Sequence, residues 1–77
     1  MTLAEFYLLL DGITESAPHT IKGDEAIADL EGWDSLAVVG FMAAVDKQLG
    51  VVVHVKGLID ARTVQDLVGL VQDKLTA

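Results

Sequence analysis

The sequence predicts an all-α fold: a small four-helix bundle, three helices longer and one short, with a long loop between helices one and two. Three observations predict it. Apolar residues recur at helical spacing in three separate stretches, and each stretch carries a capping signal. The valine-rich segment from Val51 to Val55 finds no partner strand elsewhere in the chain, so it reads as an extended connector rather than as a sheet. Turn-forming residues, finally, concentrate between helices one and two.

Helix one opens almost at once, because Thr2 followed by Glu5 matches a capping box. Leu3, Phe6, Tyr7, Leu10 and Ile13 then form its apolar stripe. Gly12 either ends the helix or is absorbed near its end, which leaves the boundary open between residues 11 and 15. From Ser16 to Asp34 the period fades, and Pro18, Gly23 and Gly32 punctuate the stretch. A loop this long in a small domain has to be pinned by its own side chains; Ile21, Ile27, Leu30 and Trp33 are the candidates, with a helical turn expected within Asp24–Leu30.

Asp34 is suited to cap helix two, which places Ser35 at the first helical position. Val38, Phe41, Met42, Val45 and Leu49 make its core stripe, and Gly50 its C-terminal cap. Leu58–Asp60 is expected to make a single turn. Thr63 with Asp66 repeats the capping-box pattern for the last helix, whose stripe is Val64, Leu67, Val68, Val71 and Leu75.

The 77 residues are expected to form one domain, 1–77. A formal charge of −7 repels a phosphate backbone and argues against nucleic acid as a partner. With no cysteine, disulfides and thiolate metal sites are excluded, and any thiol chemistry has to be supplied from outside. The start lacks the basic region of a secretory signal, and the longest apolar run, Leu36–Val45, is shorter than the roughly 20 residues a membrane span needs. The protein is expected to be cytoplasmic and monomeric.

Ser35 admits three readings. The first is an ordinary residue of a helix start, with no further role. The second, a hydrolase nucleophile, fails because Gly32-Trp33-Asp34-Ser35-Leu36-Ala37 is not the G-x-S-x-G elbow and only His19 and His54 could serve as base. The third is a point of attachment, modified by an enzyme that brings its own base and metal. A phosphate ester there would meet the free amides and positive dipole end of helix two.

These residues also carry a resemblance. "GWDSL", the helix behind it, and "TVQDLVGLV" near the C-terminus resemble the acyl carrier proteins in order and spacing over nearly the whole chain. The resemblance implies that Ser35 receives 4'-phosphopantetheine from coenzyme A, and that the thiol of this arm carries acyl groups as thioesters. Asp34 and Leu36 flank the attachment point in the same motif, Asp34 helping to position the serine in the transferase. The implied partners are a phosphopantetheinyl transferase, an acyl-loading ligase or transferase, and synthase enzymes.

Leu36, Val39, Gly40 and Ala43 lie on a face of helix two offset from the core stripe, and are expected to form a docking strip for those enzymes. The carriers of fatty acid synthesis bear several glutamates on this face; here Ala37 and Gly40 stand where acids are expected. Gly40 is costly inside a helix, which suggests close approach by a partner side chain or by the arm. Trp33 reads as a plug that holds the loop on helix two, and His54 as a surface or capping residue. Asp29, Glu31 and Asp34 lack the spacing of a calcium loop, and no metal site is assigned. Phe41, Met42, Val45, Leu67 and Val68 could line an interhelical slot for a bound chain.

The expected function is thus that of a carrier, not an enzyme, moving a thioester-bound acyl intermediate within a fatty acid, polyketide or related lipid pathway. An aminoacyl or peptidyl carrier of non-ribosomal synthesis is the alternative within the class. A helical protein-interaction module, with Ser35 as a simple cap, is the alternative outside it.

Overall fold

A computed structural model describes residues 1–76. Its helices are α1 (Leu3–Ile13), α2 (Ser35–Leu49), α3 (Val55–Asp60) and α4 (Val64–Val71), with 3-10 turns at Ile27–Asp29 and Gln72–Lys74. No strand forms among the described residues; two isolated bridges, Thr2 with Thr76 and Ala26 with Thr63, join distant backbone segments. The Cα radius of gyration, 11.1 Å, is that of a well-packed chain of this length.

Local signals set most helix ends. Thr2 and Glu5 exchange hydrogen bonds across the first turn of α1, at 2.8 and 3.1 Å. Thr63 and Asp66 do the same at α4. Gly50 closes α2 at φ 68°, a left-handed conformation that costs glycine little. The 3-10 turn at Ile27–Asp29 falls within the stretch where a turn is expected.

Gly12 is absorbed into α1, which ends at Ile13 within the range left open, and the Thr14 hydroxyl closes it by donating to the Leu10 carbonyl at 2.9 Å. Two other boundaries differ from expectation. Val55 belongs to a helix and not to the connector, because the His54 carbonyl accepts from Gly57 and Leu58 and so turns Leu58 into the core. Burial of one leucine outweighs the β-propensity of the valine. In the last helix α-geometry stops at Val71, and the 3-10 turn delivers a half-buried Leu75 to the core edge.

The core draws on every helix: Phe6 and Leu10 from α1, Phe41 and Val45 from α2, Leu58 from α3, and Val64, Leu67 and Val71 from α4. Ile21 of the loop and Val53 of the connector complete it. The rings of Phe6 and Phe41 meet edge to face with centroids 5.9 Å apart. Of the residues that could line an interhelical slot, Phe41, Val45 and Leu67 have no exposed surface and form a filled core. Close packing of their own side chains leaves no room for a chain between them.

Candidate functional site

The loop from Thr14 to Asp34 determines where α2 begins, and polar contacts hold it as much as apolar ones. The Asp11 carboxylate, buried on α1, accepts the backbone amides of His19 and Ile21, both at 2.9 Å. Glu25 accepts the amides of Lys22 and Gly23 at 2.7 and 2.8 Å. Burial works against its charged form, but those amide hydrogen bonds outweigh burial and hold its carboxyl below the ordinary value. On the far side, Gln65 of α4 donates to the Gly23 carbonyl and to the Tyr7 hydroxyl. The Ile27 amide donates to the Arg62 carbonyl and the Val64 amide to the Glu25 carbonyl, tying the loop to the start of α4.

Sequence reasoning missed these polar anchors. Asp11 carried a readable signal, since it lies four residues after Tyr7 on the apolar side of α1, where a carboxylate is costly unless something donates to it. Of the expected apolar anchors, Ile21 is buried, and Ile27, Leu30 and Trp33 are half-buried against the core. Trp33 lies edge to face on Phe41 with centroids 5.9 Å apart, the geometry of a plug.

Just before α2 the chain passes tightly over the end of α1. Gly32 has φ 83°, and a Cβ there would collide with the Thr14 carbonyl. Only glycine meets both conditions without strain. Two residues later Asp34, in extended conformation, accepts the Ala37 amide on Oδ1 at 2.9 Å and so caps α2. The cap is therefore the aspartate. Ser35, at the first helical position, is exposed. The neighbouring first-turn amides have no intrahelical acceptor, and with the helix dipole they favour an anion at this end.

Beyond Ser35, α2 presents apolar side chains to solvent. Leu36 is 79% and Val39 61% exposed, and Gly40 and Ala43 are exposed too. Ala37 does not share that face, contrary to expectation: it is buried, four residues before Phe41 and eight before Val45 on the inward line of the helix. His54 is exposed and precedes α3 without a side-chain cap. Among the described residues, no group of three or more His, Cys, Asp or Glu side chains converges as a metal site would require, Asp29, Glu31 and Asp34 included.

A family model described as "Phosphopantetheine attachment site" matches residues 9–71, well over half of the chain. The chain belongs to this family. It is a phosphopantetheine-binding carrier domain, and 4'-phosphopantetheine is its covalently attached prosthetic group. No match is found among curated proteins or solved structures. Carrier domains of this kind are generally non-catalytic and work with a phosphopantetheinyl transferase and synthase enzymes.

The residues present fit such a group. An exposed hydroxyl stands at an anion-favouring helix end, its cap is supplied by the neighbouring residue, and the cysteine-free chain has no competing thiol. When bound, the group supplies a terminal thiol that holds cargo as a thioester. No helix among the described residues is long and apolar enough to cross a membrane.

Proposed function

We propose that Ser35 is the attachment residue and that the protein carries thioester-bound acyl groups between enzymes of a fatty acid, polyketide or related lipid pathway, without catalysing a step itself. One observation carries the assignment: the Ser35 hydroxyl is exposed at the first position of α2 while Asp34 performs the capping. A serine kept only as a helix cap would occupy Asp34's place. In the loading reaction Ser35 Oγ gains a bond to the phosphorus next to the pantetheine of coenzyme A. The bond from that phosphorus to the bridging oxygen breaks, adenosine 3',5'-bisphosphate leaves, and the hydroxyl proton passes to a base on the transferase.

The strip Leu36, Val39, Gly40 and Ala43 is the docking surface in this proposal. It is apolar and starts one residue from the attachment point, so a partner that grips it also addresses the arm. Monomeric action in the cytoplasm is part of the same proposal. Incubation with coenzyme A, magnesium and a broad-specificity phosphopantetheinyl transferase is expected to give a single phosphopantetheine adduct by mass, abolished in Ser35→Ala. An adduct that persists in that variant would move the site. No adduct on the wild-type chain would favour a helical interaction module.

A further inference from the structure

The Thr14 carbonyl, at the end of α1, lies against Gly32, three residues before the proposed attachment serine. Thr14, Gly32 and Asp34 line one groove, which opens beside the end of α1. We propose that Thr14 is a positioning residue for loading: through Gly32 it sets the angle at which the chain enters α2, and so the direction in which Ser35 presents its hydroxyl to the transferase. The inference rests on Ser35 being the attachment residue.

The aim of the Thr14 carbonyl is the first argument. Its peptide plane is set by ψ of Thr14, 2°, and by φ of Glu15, 58°. The second angle is left-handed, a region that residues other than glycine enter at a cost, so contacts have to hold it there. Three hydrogen bonds do so. The Glu15 amide donates to the Gly12 carbonyl at 3.2 Å, and the Ser16 amide to the Asp11 carbonyl at 2.8 Å. The third joins the hydroxyls of Thr14 and Ser16 at 2.9 Å. Thr14 gives its one hydroxyl proton to the Leu10 carbonyl, so Ser16 is the donor in that pair. The buried Thr14 hydroxyl thus ties the last turn of α1 to the reversal that follows it.

The short path to Ser35 is the second argument. Gly32 meets the Thr14 carbonyl, Trp33 seats on Phe41, and Asp34 caps α2, with no free residue between them. A shift of the carbonyl therefore passes directly to the first turn of α2. The other polar anchors act farther away: the Asp11, Glu25 and Gln65 side chains hold amides and a carbonyl of residues 19 to 23.

The test is the kinetics of phosphopantetheine transfer from coenzyme A by a broad-specificity transferase, at varied carrier concentration. Thr14→Val keeps the shape of the side chain and removes the hydroxyl. The Leu10 carbonyl retains the residue 14 amide, at 3.0 Å in the wild type, as its donor, so the variant is expected to fold, as checked by melting. Its kcat is expected to fall roughly tenfold with KM unchanged, because a misplaced attacking atom slows transfer while the docking strip stays intact. Thr14→Ser restores the hydroxyl and is expected to restore kcat. Val71→Ala, a core truncation on α4, controls for stability: it melts lower yet loads at the wild-type kcat. An undiminished kcat in folded Thr14→Val, a loss confined to KM, no rescue by Thr14→Ser, or an equal loss in Val71→Ala would overturn the proposal. Should Thr14→Val not fold, Ser16→Ala, which removes only the donor to Thr14, decides by the same split. All of these outcomes leave Ser35 as the attachment residue. If the wild-type chain takes no adduct at all, that assignment itself fails, and the role of Thr14 with it.

Discussion

At the scale of single residues, two acids hold the site in place by different routes. Asp34 acts locally, reaching three residues ahead to the Ala37 amide. Asp11 acts across the loop, and its burial makes it the more sensitive position. Asp11→Ala leaves the His19 and Ile21 amides without their acceptor and is expected to cost about 1–3 kcal/mol in denaturant unfolding. Leu36 behaves in the opposite way. Being mostly exposed, it contributes little to folding, so Leu36→Ala is expected to change stability by less than about 0.5 kcal/mol. Affinity for the transferase, measured by titration, is expected to fall roughly tenfold, and to depend little on salt because the lost contact is apolar. Normal affinity in this variant would remove Leu36 from the proposed docking strip. The two residues were unequally legible: Leu36 falls off the core stripe of α2 and can be read as exposed, whereas the donors to Asp11 come from residues 19 and 21, whose path no local pattern gives.

At the scale of elements, α2 combines a buried line, Ala37, Phe41 and Val45, with an exposed apolar strip interrupted by Gly40. Glycine within a helix costs backbone entropy without contributing contacts, and no neighbour opposes a methyl group here. Gly40→Ala is therefore expected to raise stability by roughly 0.5–1 kcal/mol, visible as a higher melting temperature; an unchanged or lower one would mean that α2 needs flexibility at this point. The capping boxes of α1 and α4 make an acid-labile pair. Hydrogen bonds from the Thr2 backbone and hydroxyl hold Glu5 below its usual pKa, and those from the Arg62 and Thr63 amides hold Asp66 below its own. A depressed folded-state pKa contributes stability above the unfolded value and loses it as pH falls through the folded one. Stability is thus expected to drop below about pH 4. Asp66→Asn should reduce the difference in melting temperature between neutral and acid pH, and an undiminished difference would place the acid-sensitive contact elsewhere.

At the scale of the whole molecule, the charge of −7 coexists with a site whose contact surface is apolar. Leu36 and Val39 on α2, Val52 in the connector, and Val55 and Ile59 on α3 are large apolar side chains exposed to solvent, and Val39, Val52 and Val55 line one groove. Negative charge favours approach by basic partners, and in the proposed function the apolar strip then determines fit. The anchored loop matters for this, because α2 displays both the proposed attachment point and the proposed strip. Gly32, Trp33 and Asp34 fix its first turn against α1, Phe41 and its own amides, within three consecutive residues.

The sequence by itself determined what depends on neighbours a few residues apart: the capping boxes at Thr2 and Thr63, the Asp34 cap, Ser35 at the first position of α2, the Gly50 stop and the apolar stripes of three helices. Such features rest on hydrogen bonds and periodicities that close within one or two turns. Only the tertiary structure decided that Val55 starts a helix, that Ala37 faces inward, that Asp11 and Gln65 anchor the loop, and that the proposed slot is filled core while a groove opens beside α1. Each of those outcomes depends on which distant segment is packed alongside, and a chain's local pattern does not contain that information.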